Sequence, residues 1–152
     1  MPDSDHVATF WRYISRSIDR LVDLAVGLES HELTWSPAEG TSSLATLVGH
    51  TMANAEDNLV GTLCGRPVTY DRAADFERPD ADGAAIAARW AKLRPTIKAA
   101  LEDLDGDQLT RAMTHPRRGD LTGLDLLIVV ARHTAEHLAQ AELTLDLLRA
   151  DR

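Results

Sequence analysis

R-H-T-A-E-H-L-A-Q, residues 132–140, lies inside a run from Leu124 to about Arg149 that repeats apolar residues at helical intervals. Leu124, Leu127/Ile128, Ala131, Ala135, Leu138 and Leu145 form one stripe, expected to pack on a core. Leu126, Val130, His133, His137 and Gln140 form a second stripe beside it. On a helix His133 and His137 are one turn apart, with Cβ atoms ~6 Å from each other. Two imidazoles so placed can turn ring nitrogens to one ion at ~2.0–2.1 Å. Because they share a row with apolar residues, they are expected inside or at the mouth of a helical bundle. Gln140 continues the same stripe and is placed to hydrogen-bond a ligand, a water or a substrate.

The pair alone is a weak signal. Six histidines in 152 residues would give roughly 0.2 pairs at this spacing by chance. Histidines on a helix face also occur as hydrogen-bonded core residues or on a solvated edge.

Working outward, Thr122 with Asp125 has capping-box spacing for the start of this last helix. Before it, His115-Pro-Arg-Arg-Gly119 reads as a basic loop, and Asp105 to Met113 as a capped turn. Ile86, Trp90, Leu93, Ile97, Leu101 and Leu104 alternate at intervals of four and three, the seam of a bundle helix. Pro95 falls inside it and is expected to kink it. Residues 66–82 hold two prolines, mixed charge and no periodicity. Most helix–helix links are ~2–8 residues, so this long crossover lets its two helices run parallel, and it could also lie over the end of the bundle as part of a site wall. The preceding helix carries Leu44, Leu47, Val48, Ala55, Leu59 and Leu63, capped by Ser42 or Ser43 and stopped near Gly65. Phe10, Ile14, Ser17/Ile18, Leu21, Ala25 and Leu28 form the stripe of the first helix, whose start falls at Asp3–Asp5. The predicted fold is all-α: a four-helix bundle in one domain over residues 1–152. Its helices fall near 4–29, 43–64, 82–104 and 122–149, with a long crossover between helices two and three and no sheet of consequence.

Composition excludes several classes. A formal net charge of −8 argues against nonspecific nucleic-acid binding, which needs a basic face. One cysteine, Cys64, forms no internal disulfide and fits a reducing cytosol. No signal-peptide core and no membrane-length apolar run are present. A cytoplasmic protein is expected, with a small-molecule partner, no nucleic acid and no membrane. The apolar residues on more than one face of helix four suggest a homodimer.

Of the remaining histidines, His6 and His31 fall near helix ends and His115 falls in the basic loop. His50 is different, being inside the second helix at the edge of its apolar stripe. A buried ring there needs a partner. A metal shared with His133 and His137 would supply one, and so would a backbone carbonyl.

W-S-P-A-E-G-T-S-S-L-A-T-L-V-G-H (35–50) and R-H-T-A-E-H-L-A-Q (132–140) together resemble the two signature blocks of the DinB/YfiT-like family of four-helix bundles. The family pattern is Trp, Pro and small residues before helix two, a His on that helix, and H-x-x-x-H-x-x-Q on helix four. The resemblance covers nearly the whole chain. It implies that His50, His133 and His137 form a facial triad for a divalent metal ion, usually Zn or Ni. Some relatives are transferases or isomerases that use a low-molecular-weight thiol such as mycothiol or bacillithiol.

Three neutral imidazoles leave coordination positions open, the pattern of catalytic more than structural sites. Asn54, one turn after His50, and Asp57, two turns along at ~10 Å, are pocket candidates with Gln140; a solvated face is the other interpretation for Asn54 and Asp57. Cys64 is fourteen residues from His50, ~21 Å along a helix, and so a poor nucleophile. Glu136 is expected in a salt bridge; Arg117 and Arg118 are expected in a solvated turn, with carboxylate binding as the other reading if their loop folds over the mouth. Two functional classes follow: a metal-dependent, thiol-using enzyme, or a noncatalytic metal or small-molecule binding module.

Overall fold

The computed structural model describes residues 2–68 and 71–152, without the side chains of residues 2–4 and 72. Thr69 and Tyr70 of the predicted crossover, and the side chain of Asp3 at the first helix start, lie outside the described residues. The chain is mostly helical. Helix α1 (Pro2–Val26) buries Val7, Trp11, Ile14, Ile18, Leu21, Val22 and Ala25 at alternating three- and four-residue steps. Gly27 ends it, slightly before the expected boundary. Trp11 takes the core place expected of Phe10, which is only partly buried. A short α2 (Ser30–Leu33) carries a reciprocal capping box between Glu29 and Glu32.

Helix α3 (Leu44–Ala55) begins at Ser43, whose side chain accepts from the Thr46 amide. Every residue of α3 is buried, the signature of a helix surrounded by protein. The chain then continues as a π-helix, Glu56–Leu63, and leaves the helix at Gly65 in the left-handed region (φ 64°). The crossover contains a six-residue helix, α4 (Arg72–Glu77), capped by Asp71. Helix α5 (Gly83–Glu102), capped by Asp82, continues through Pro95. The last helix, α6 (Gly123–Ala150), starts on the expected Thr122–Asp125 capping box.

Helix α1 packs against α6, α5 and α3, while α3 packs on α6 and carries α4 on its outer side. Ile14, Leu21, Leu59, Ile97, Leu126 and Leu127 are fully buried where these helices meet. Trp90 donates its indole N–H to Asp19 Oδ1 at 2.7 Å, and Arg94 holds the same carboxylate at 3.0 Å and 3.2 Å. The polar end of a large core aromatic is thereby satisfied.

Two expectations need correction. Residues 112–122 form an antiparallel hairpin, β1 (Ala112–His115) and β2 (Gly119–Thr122), instead of a loop. Gly119 (φ 73°) provides the left-handed turn residue, and Thr114 donates its hydroxyl to Asp120 Oδ1 across the strands. Strands of four residues rich in polar side chains carry too little alternation to stand out in sequence. On α6 the core stripe is rotated from the expected one. Leu124, Ile128 and Ala135 are exposed, while Leu126, Leu127, Val130, Thr134, Ala141, Thr144, Leu145 and Leu148 are buried. Thr134 and Thr144 donate their hydroxyls to the carbonyls of Ala131 and Gln140, so two polar residues enter the core with their hydrogen bonds made. The histidines therefore border the true core stripe.

Candidate metal centre

His50 is presented by the wholly buried α3, and His133 and His137 by α6. Their Nε2 atoms converge: His133 is 3.2 Å from His50 and 3.0 Å from His137. Each residue offers one ligand atom, all within 4.8 Å of one another, a group that can hold a metal ion.

The spacing has a chemical meaning. With metal–nitrogen bonds of ~2.0–2.1 Å, neighbouring nitrogens 3.0–3.2 Å apart subtend angles between octahedral and tetrahedral values. His137 donates from Nδ1 to Gln140 Oε1 at 2.6 Å, which turns its Nε2 lone pair towards the other two rings. Gln140 thus bonds a histidine and is not among the cavity lining. His133 buries an Nδ1 without a hydrogen-bond partner among the described residues. Three imidazole nitrogens meeting at one point form an acceptor-rich donor set that a cation satisfies, and the residues fit a divalent ion.

Gly49, next to His50, explains how the crossover reaches this point. A Cβ there would lie 2.8 Å from Asp75 Oδ1, so glycine leaves room for the Asp75 carboxylate against α3. Asp75 pairs with Arg89 of α5 at 3.1 Å, fastening α4 in place. The next residue, Phe76, stands with its ring centroid 5.0 Å from that of His50. The crossover thus does form a wall of the site. The cavity has a volume of about 340 Å³, and Ser42, Thr46, Leu47, His50, Asn54, Phe76, Arg117, Arg118, His133 and His137 line it.

Asn54 is buried in this lining, whereas Asp57 lies outside it and pairs with Arg117 at 3.6 Å. Arg117 and Arg118 are exposed in the turn and also line the cavity. Glu136 pairs on the surface with Arg132 at 3.3 Å. His6 and His31 are exposed. His115 is almost fully buried, contrary to a loop position: its Nε2 donates to Asn58 Oδ1 at 2.8 Å and its Nδ1 accepts from the Arg117 amide at 3.1 Å. Burial, then Arg117 and Arg118, lower its pKa. Cys64 lies against the Ala100 carbonyl, and burial pushes its thiol up to about 11, with Arg66 opposing and Asp103 adding to the shift. Sequence reasoning missed Phe76 and the burial of His115; for Arg117 and Arg118 a basic run ending in glycine was the signal, and a place at the mouth was the lesser of its two readings.

Burial, followed by the charges of His137, His50, Arg118 and Arg132, lowers the His133 pKa to about 3. An unfolded histidine titrates near ~6.5, so between these values the unfolded chain holds more protons. Stability attached to a neutral His133 is complete above about 6.5 and is lost as pH falls towards 3. We expect the metal-free protein to lose on the order of 1–2 kcal/mol from this group between pH 7 and pH 5. Urea midpoints in EDTA at the two pH values measure it, with His133→Gln expected to flatten the difference. Equal slopes for the two proteins would contradict the assignment.

The sequence model described as the DinB superfamily matches residues 13–141. No curated protein shows a significant match to the chain.

Proposed function

The chain belongs to the DinB superfamily, and from that premise we propose that His50, His133 and His137 hold one divalent metal ion, zinc or nickel, in a metal-dependent enzyme. The reaction is S-transfer or isomerisation of a small electrophile, with a low-molecular-weight thiol as cosubstrate. The observation that carries this is the convergence of three Nε2 atoms on a cavity, with no fourth histidine, cysteine or carboxylate in the group among the described residues. When bound there, a divalent ion lowers the pKa of a thiol or water placed beside it.

The chain's own residues serve that chemistry in distinct ways. Gln140 holds His137 in the tautomer that presents Nε2. Leu47 and Phe76 provide the apolar wall that keeps water from part of the cavity, and Asn54, Ser42 and Thr46 offer hydrogen bonds to polar atoms of a bound molecule. The only protein thiol, Cys64, is outside the lining and held protonated near neutral pH by its burial. A thiol nucleophile must therefore come from solution.

The same proposal treats residues 1–152 as one domain, with α1, α3 and its π-helical extension, α5 and α6 forming a four-helix bundle bridged by a long crossover. Among the described residues no helix is long and apolar enough to cross a membrane. With an acidic chain of net charge −8, the partner is a small molecule in the cytoplasm and not nucleic acid. The exposed Leu124, Ile128, Leu143 and Leu147 of α6 offer a face for a homodimer; a monomeric mass by light scattering across a concentration series would remove that part.

The test is metal analysis of the purified protein followed by thiol consumption with a panel of electrophiles. Equimolar metal with thiol loss that EDTA abolishes is expected. Metal uptake with no thiol consumption across the panel would leave a noncatalytic binding module, and no uptake would end the proposal.

A further inference from the structure

The chain is strongly acidic, yet the cavity lining contains two guanidinium groups and no carboxylate. This inversion of local charge depends on the hairpin. Arg117 and Arg118 occupy its turn, between β1 and β2. The turn is fastened at its base, because His115 is buried and bonded to Asn58, and Asn58 in turn donates Nδ2 to the Asn54 carbonyl at 2.8 Å. Asn58 belongs to the π-helix that follows α3, and π-helical turns frequently occur at functional sites because the extra residue redirects side chains. The Arg117 amide donates to His115 Nδ1, so one residue of the turn is tied directly to the anchor.

The two arginines differ in their partners. Arg117 leans on Asp57. Arg118 has no carboxylate within ion-pair distance among the described residues. Asp120, two residues on, is engaged by Thr114. A guanidinium presents a planar fork that matches the two oxygens of a carboxylate, and here it faces a cavity shared with three imidazoles. The cavity volume of about 340 Å³ is at the small end of the ~300–1,000 Å³ typical of ligand pockets, which suits a compact metabolite.

We propose that Arg118, backed by Arg117 on the anchored hairpin, is an anion subsite that selects carboxylate-bearing small molecules for the three-histidine centre. This deepens the proposed function and rests on it for the position of the second contact. His115 and Asn58 act as positioning residues, holding the turn over the cavity without touching the ligand.

The test uses calorimetric titration of zinc-loaded protein with mercaptosuccinate and with 2-mercaptoethanol, which share a thiol and differ in carboxylates. Wild type is expected to bind mercaptosuccinate at least 10-fold more tightly. Arg118→Gln should remove that preference while leaving zinc content and 2-mercaptoethanol affinity unchanged. Equal preference in wild type and Arg118→Gln, with zinc in place, would overturn the subsite and leave the metal proposal standing. Equal competition by inorganic phosphate would overturn the assignment to carboxylates. If wild type takes up no zinc, the metal proposal fails alone, and succinate binding to metal-free protein decides the subsite: unchanged affinity in Arg118→Gln overturns it.

Discussion

His133→Ala is expected to lower the affinity for divalent metal by at least 100-fold, so that equimolar zinc no longer survives buffer exchange. The central ring of the three is the most informative to remove, because its Nε2 is within 3.2 Å of His50 and 3.0 Å of His137. Its loss leaves two imidazoles on different helices with no third donor, since Gln140 faces the far nitrogen of His137 and Asp57 is paired with Arg117 outside the cavity. Gln140→Ala should cost less, ~10-fold, because it loosens the orientation of one ligand and removes none. The measurement is metal content by mass spectrometry after reconstitution, with circular dichroism to show that the helices persist. A His133→Ala protein that still carries one equivalent of zinc would rule the site out. Because ligating imidazoles must be neutral, metal uptake by wild type should also weaken as pH falls below ~6.

The meeting of these histidines was legible before any coordinates because helical periodicity is a property of spacing alone. His133, His137 and Gln140 repeat at four and three, so any helix through them presents them together. Their orientation relative to the core was less legible. Thr134 and Thr144 carry hydroxyls that bond to carbonyls one turn back, so they are buried while a pattern based on polarity counts them as surface. The apolar residues Leu124 and Ile128 lie on the opposite side and are exposed, and their place in the expected stripe pulled it away from the real one.

Long-range contacts account for what was not legible. His50 was recognisable as unusual because it lies within an apolar helix, but Phe76 and the Asp75–Arg89 pair reach α3 only through tertiary packing at Gly49. The hairpin is the clearest case. His115 has no local feature that separates it from a loop histidine; its burial comes from Asn58, 57 residues away in sequence. A loop rich in arginine in an acidic chain reads as solvated unless something holds it down. Here the anchor is a buried hydrogen bond between two side chains that ordinary spacing rules do not connect.

Gly123→Ala should be strongly destabilising, although it replaces glycine at the start of a helix. By intrinsic propensity alone alanine would gain up to ~1 kcal/mol over glycine in a helix interior. The surroundings reverse the sign. A Cβ at Gly123 would lie 2.3 Å from the Gln108 carbonyl oxygen, 2.9 Å from Leu63 Cδ1 and 3.0 Å from Leu109 Cα. Two of these three are backbone atoms and cannot rotate aside. Relief requires moving residues 108–109 away from α6, and that movement stretches the bond from the Leu124 amide to the Leu109 carbonyl, now 3.0 Å. Overpacking of a rigid contact costs ~1–3 kcal/mol, and a lost hydrogen bond adds about 1 kcal/mol. Set against the propensity gain, the net expectation is a loss of ~1–4 kcal/mol, which at this chain length lowers the melting temperature by roughly 2–16 °C. Gly27→Ala is the matched control, because nothing lies within 4 Å of its added Cβ, and it should change stability by less than about 0.5 kcal/mol. Since Gly123 also joins β2 to α6, its displacement should reach both arms of the cavity, the arginine turn and the His133–His137 pair. Thermal melts of the two variants, with and without zinc, measure both effects, and a Gly123→Ala protein as stable as Gly27→Ala would show that residues 108–109 yield freely.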